Sequence, residues 1–168
     1  LLEQRQGGRR RVAVGLGFDI HRLAEGRELW LAGLKLAGKK GLLGHSDADV
    51  ALHAAADAVL GAFGGGEIGV LFPPEEPKWK GIAGKEIVAE VLKRLGEAGG
   101  SVSNLDVTIV AEEPKLRPHY HDLRASLAGV FGLPAERVSV KAKSHEGLGE
   151  IGQGAAIACQ AVAVVLLP

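Results

Sequence analysis

Cysteine, charge of one sign and long apolar runs are all scarce in this 168-residue chain, and each scarcity excludes something. The single cysteine, Cys159, cannot form an internal disulfide. Lying in an apolar run at 155–167, it reads as a small core hydrophobe in a reducing compartment. Lys and Arg total 20 and Asp and Glu total 20, so no basic excess argues for a nucleic-acid partner. The nearest approach is Arg9, Arg10 and Arg11, which reads as a solvated tail. No apolar run reaches the roughly 18 residues that a membrane span needs. Residues 1–8 lack the apolar core of a signal peptide. There is also no G-x-S-x-G elbow and no Cys beside a His, so no activated nucleophile stands out. Phosphoryl transfer does not require one, because metals and positioning supply most of its catalysis.

What is present is an ordinary globular balance, 46% hydrophobic and 24% charged, at a length that favours one domain. The chain does not open on Met. It reads either as trimmed or as cut from a longer polypeptide, with 1–11 a flexible tail or linker remnant and 12–168 a single domain.

The pattern predicts a strand over 12–18 entering a loop at Asp19, and a short strand within 28–36. Ser46 reads as an N-cap, with Asp49 completing a capping-box variant and Asp47 and Asp49 in the first turn. The Ala-rich helix then runs to about Phe63 and stops at Gly64. A loop rich in Pro and Glu fills 67–79. A second helix over 85–98 puts Ile87, Val88, Val91, Leu92 and Leu95 on one stripe and ends at Gly99 and Gly100. Residues 105–111 alternate like a half-buried strand. Pro118 opens a third helix with Leu123, Leu127, Val130 and Phe131 facing inward, closed by Gly132 and Pro134. The last strands are 138–143 and 155–167, joined by a Gly-rich loop. The class is α/β or α+β: one sheet covered by three helices.

Four groups of residues are candidates to carry chemistry. Asp19 and His21, two apart in extended chain, point the same way, and His53 lies on the first helix. Two histidines and a carboxylate leave an open position on a tetrahedral zinc, and the same set suits a facial iron site. Asp49 and Asp57, each four residues from His53, are candidates to orient its ring. A helix histidine with only a local hydrogen bond fits the spacing equally well. Next, Gly147-Leu148-Gly149-Glu150-Ile151-Gly152 matches G-x-G-x-x-G. No helix-plus-acid context follows, so it is rejected as a dinucleotide fingerprint and kept as a flexible turn. Third, Lys141, Lys143, Ser144, His145 and Glu146 crowd a strand end, where lysines and hydroxyls suit phosphate and Glu146 suits a hard cation. A solvated strand end is the alternative there. The run Ala111, Glu112, Glu113, Pro114, Lys115 and Leu116 offers either a base-reading edge or a plain connecting loop.

In order along the chain, Gly17-Phe18-Asp19-Ile20-His21 and Gly44-His45-Ser46-Asp47-Ala48-Asp49-Val50-Ala51-Leu52-His53 resemble 2-C-methyl-D-erythritol 2,4-cyclodiphosphate synthase. Ile68-Gly69, Leu71-Phe72-Pro73, Asp106-Val107-Thr108-Ile109, Pro114-Lys115 and Val140-Lys141-Ala142-Lys143 extend the likeness from about Val12 to the C-terminus. The resemblance implies a ferredoxin-like α+β subunit in a homotrimer with active sites between chains. It implies a lyase of the non-mevalonate isoprenoid pathway, in bacterial cytoplasm or plastid stroma. Its substrate would be a small cytidine diphosphate compound cyclised with loss of CMP.

By motif position, Asp19, His21 and His53 would hold Zn²⁺ (or Mn²⁺ or another divalent ion), and His45 and Ser46 the erythritol phosphate. Glu67, Ile68, Gly69, Phe72, Pro73, Glu75 and Glu76 would form the erythritol loop. Ala111, Pro114, Lys115 and Leu116 would line the cytidine pocket. His45 and Ser144 would be the catalytic residues, Lys143 and His145 would bind substrate, and Glu146 would meet the Mg²⁺ or Mn²⁺ on the diphosphate. Ser144 replaces the family's usual threonine. Glu67 stands for an aspartate, Pro74-Glu75-Glu76 for Asp-Thr-Asp, and Glu150 and Gln153 for a phenylalanine and an arginine. These departures leave two alternatives open: another zinc or iron enzyme on the same ligands, and a catalytically impaired trimer that binds metal and nucleotide.

Overall fold

The computed structural model describes residues 10–168, so most of the expected tail lies outside the described residues. Strand β1 spans Arg11–Glu25, β2 Leu29–Leu31, β3 Leu34–Leu36 and β4 Lys40–Leu43. Helix α1 (Val50–Phe63) follows, then the single-turn α2 (Ile68–Leu71) and α3 (Gly84–Glu97). The chain continues through β5 (Ser101–Val110), α4 (Tyr120–Phe131), β6 (Val138–Lys143), single-turn α5 (Gly149–Gly152) and β7 (Ala156–Leu167). The mixed α/β class is as expected. One five-stranded sheet runs in the order β4-β1-β7-β5-β6, with β5 and β6 parallel and the other pairs antiparallel.

Several local expectations need correcting. Strand β1 does not stop at residue 18 but carries Asp19 and His21 within the sheet, because β7 pairs with it from Arg11 through Arg22. Residues 28–36 form a hairpin, not one strand: Ala32 and Gly33 take positive φ of 55° and 76°, the geometry of a tight two-residue turn. Helix α1 is capped by Asp49, not Ser46. The Asp49 carboxylate accepts from Ala51 N and Leu52 N at 3.1 Å, and also from Ala32 N at 2.8 Å and Gly33 N at 2.6 Å. One buried side chain thus starts the helix and holds the hairpin turn. Burial pushes its carboxyl up, against the pull of those N–H donors.

The Pro- and Glu-rich segment contains α2 and a 3-10 turn at Pro77–Trp79. A 3-10 turn at Arg117–His119 holds Pro118, and α4 starts after it. The Gly-rich loop folds into α5.

All three long helices cover one face of the sheet. Ala13 is buried on β1, and Gly15 and Gly17 meet the α1 backbone, while Leu123, Leu127 and Phe131 of α4 and Ile87, Val88, Val91 and Leu95 of α3 complete the core. The other face is bare among the described residues. Val12, Val14, Leu16, Phe18 and Ile20 alternate along it, 45–70% exposed, with Val162 beside them. That is a long apolar strip for a solvent-facing surface.

Candidate active site

Helix α1 crosses β1 at backbone distance because Gly15 and Gly17 have no side chains to hold it off; a Cβ on either would overlap the carbonyl oxygen of Ala58 or Ala54. That docking places His53 above Asp19. Asp19 Oδ2 lies 2.9 Å from His53 Nδ1 and 3.1 Å from His21 Nε2. These three ligand atoms lie within 4.8 Å of one another.

The outer nitrogens are held by other partners, so the inner ones, which hydrogen-bond Asp19, are the nitrogens turned to the centre. His21 Nδ1 donates to the Leu43 carbonyl at 3.0 Å, which fixes the ring with Nε2 facing the centre. His53 Nε2 lies 3.2 Å from Ser46 Oγ, itself an acceptor from Ala48 N at 3.0 Å. Ser46 therefore contacts the His53 ring, whereas Asp49 and Asp57, expected to orient it, bond backbone N–H groups instead. The helical spacing was correct; the carboxylates find nearer donors. Ligand atoms converging from fixed rings, with hydrogen-bonded outer nitrogens, fit a divalent metal.

Electrostatics agree. Burial pushes the Asp19 carboxyl up, but hydrogen bonds and charge from His21 and His53 outweigh it and hold the group well below the usual carboxylate range. The hydrogen bond to Asp19 raises His21, against burial.

The centre opens into a cavity of about 220 Å³ lined by Asp19, His21, His45, Ser46, His53, Ile68, Gly69 and Phe72. Pro74, Trp79, Ile82 and Ile87 complete its wall. Trp79, Ile82 and Ile87 carry no chemical signature in the sequence and were not expected at the site, while Pro74 stood out there only as a departure in the erythritol loop. Trp79 packs edge-on against Phe72, centroids 5.0 Å apart, and its buried indole N–H has no partner among the described residues. A larger groove of about 600 Å³ shares Phe72, Trp79 and Ile82 but contains no metal ligand, so the chemistry belongs to the smaller cavity. Among the described residues that line the smaller cavity, Glu67, Pro73, Glu75 and Glu76 do not figure; Glu67, Glu75 and Glu76 are exposed.

The remaining candidates gather elsewhere, where β5 and β6 end. Ala111 N donates to Lys143 O at 3.0 Å, and the Glu112 carboxylate accepts from His145 N at 2.7 Å. Ser144 Oγ donates to Glu146 Oε1 at 2.6 Å, with Glu146 at a positive φ of 51°. Pro114 and Lys115 sit in the adjoining loop, whereas the Leu116 side chain is buried in the core. Lys141 is not a free phosphate ligand: its ammonium is paired with Asp106 at 2.6 Å. None of these residues lines the metal cavity among the described residues. Within one chain, then, the two groups form separate clusters.

Comparison with known proteins finds that the YgbB family model matches residues 12–166. A bifunctional enzyme IspD/IspF of Sphingopyxis alaskensis is 49% identical over 94% of this chain, which spans only 40% of that relative. The 2-C-methyl-D-erythritol 2,4-cyclodiphosphate synthase of Gloeobacter violaceus is 48% identical over 92% of this chain and 94% of its own length. A solved structure of 2C-methyl-D-erythritol-2,4-cyclodiphosphate synthase in a CDP-bound form superposes with a TM-score of 0.84 at 36% identity. It covers 90% of this chain and 99% of that one.

Proposed function

The chain belongs to the YgbB family, and from that premise we propose that it closes a cyclic diphosphate. The 2-phosphate oxygen of 4-diphosphocytidyl-2-C-methyl-D-erythritol 2-phosphate attacks the β-phosphorus of the same molecule. A P–O bond forms there, the bond to the α-phosphate oxygen breaks, and CMP leaves with that electron pair. The observation that carries this reading is the convergence of Asp19 Oδ2, His21 Nε2 and His53 Nδ1 in the wall of a cavity of about 220 Å³. The relatives' names favour it over a zinc hydrolase or iron oxygenase on the same ligands.

Asp19, His21 and His53 would hold a divalent ion, Zn²⁺ in this reading, which would supply Lewis-acid polarisation of a phosphate oxygen. His45 and Ser46 hold the erythritol phosphate beside it, and Ile68, Gly69 and Phe72 form the wall against the sugar carbons. Ala111, Pro114, Lys115 and the backbone of Leu116 receive cytidine, as the CDP-bound relative makes reasonable. Lys143 and His145 bind substrate, His45 and Ser144 are the catalytic residues, and Glu146 would hold the Mg²⁺ or Mn²⁺ of the diphosphate.

These two clusters are separate within one chain, and the bare apolar face of β1 asks for a partner. A homotrimer in which one chain's metal cavity faces another's nucleotide cluster accounts for both. The bifunctional relatives are consistent with a fused second domain, and the Gloeobacter violaceus relative, covered over 94% of its length, has no room for one of that size. No helix among the described residues is long and apolar enough to cross a membrane.

The deciding experiment is incubation with the cytidyl substrate, Zn²⁺ and Mg²⁺, following CMP and the cyclic product. Release of both in equal amounts is expected. CMP no faster than in buffer would overturn the reading.

A further inference from the structure

Short helix α2 opens the wall of the metal cavity with Ile68 and Gly69, yet its own cap residue, Glu67, makes no capping hydrogen bond with its side chain. The bond comes from another element. Asp57, one helical turn after His53 on α1, accepts from Ile68 N through Oδ1 at 2.7 Å. Asp57 is half-buried and is not among the residues that line the cavity. Its carboxylate joins two things the site needs in fixed relation: the helix bearing a metal ligand and the backbone of the turn facing it.

We infer that Asp57 is a positioning residue, pinning Ile68 and Gly69 to the metal-bearing helix and so setting the wall against which the sugar-phosphate end of the substrate rests. The inference rests on the reaction proposed above. The physical basis is direct. A turn of four residues has too few internal hydrogen bonds to hold itself, because nucleating a helical turn is unfavourable. A hydrogen bond to a charged, partly buried carboxylate is among the stronger kinds available to hold it from outside. The nucleotide cluster at 111–116 and 143–146 lies on other elements and should not sense this bond.

The test compares wild type with Asp57→Ala, Asp57→Glu and Asp57→Asn. Ala removes the acceptor, Glu keeps the charge but shifts the oxygens by one methylene, and Asn keeps an oxygen in place. Ala and Glu should raise KM for the cytidyl substrate about ten-fold, as expected for one lost hydrogen bond, with a smaller change in kcat. Affinity for CDP and zinc stoichiometry should stay at wild-type values. Asn should return KM to within about three-fold of wild type. Amide hydrogen exchange should show faster exchange at 68–72 in Ala and Glu, with 50–63 still protected. Unchanged KM and unchanged exchange in both variants would overturn the inference. So would parallel losses of CDP affinity, zinc and kcat, which mark a general structural role. The exchange contrast needs no substrate. A wild-type protein that releases no CMP therefore overturns the reaction, while exchange still decides the tether.

Discussion

Gly17 lies so close beneath helix α1 that a side-chain carbon on it would overlap the carbonyl oxygen of Ala54, the residue next to His53. The contact is with backbone, which cannot swing aside as a flexible side chain would. A missing side chain on a strand thereby determines where a metal ligand on a helix sits.

Gly17→Ala should therefore lift α1 and separate His53 from Asp19. Overpacking of this kind costs about 1–3 kcal/mol, and a backbone neighbour points to the upper end. Urea denaturation should show a lower midpoint, and zinc titration a weaker site. Wild-type values for both would mean that the helix adjusts without cost.

His53→Ala removes one of three candidate ligands. The fold should persist, since Ala favours the helix and the core of α1 is otherwise untouched, but zinc binding and CMP release should both fall steeply. The buried His53 also bonds Asp19, so a modest loss of stability accompanies it. His45→Ala should instead keep zinc and lose turnover. Ser46→Ala, which strips the hydrogen bond from His53 Nε2, should weaken zinc about 10- to 100-fold. Metal analysis after dialysis distinguishes all three, and full zinc in His53→Ala contradicts the assignment.

The metal-free protein should show its own pH signature. His21 is raised above its ordinary 6.5, so its contribution is full below that value and is lost as pH rises through the raised one. Asp19 is depressed below its ordinary 3.8, so its contribution is present above that value and is lost as pH falls through the depressed one. The cluster therefore stabilises the fold most between about pH 4 and 6.5. Thermal melts of chelator-treated protein should show this window, and Asp19→Asn should flatten it. An unchanged profile in Asp19→Asn would show that the cluster contributes nothing.

Assembly is the fourth test. Leu16, the most exposed member of the β1 strip at 70%, should be covered in a homotrimer. Sedimentation at micromolar concentration should give three chains for wild type and one for Leu16→Asp, with CMP release lost alongside. A monomeric, active wild type would remove the case for shared sites.

The sequence by itself determined the ligand types and much of the scaffold. Asp19 and His21 at a spacing of two needed only extended chain to point one way, and Val138–Lys143 alternated clearly enough to be bounded from sequence. Gly64 and Gly132 marked helix ends because each must take a positive φ, 76° and 64°, which side chains resist. What tertiary structure alone decided was partnership. Asp49 reads locally as a helix-start acid, but it became the cap because a hairpin turn 16 residues earlier supplied two more donors. Strand β1 ran on past Asp19 because β7, far along the chain, supplied hydrogen-bond partners there. Lys141 looked free for phosphate until strand pairing set Asp106 beside it. Hydrophobic alternation could not show which side of β1 was bare, because residues suited to burial stand on one face and glycines on the other. The distance to a helix backbone, a long-range quantity, made that choice.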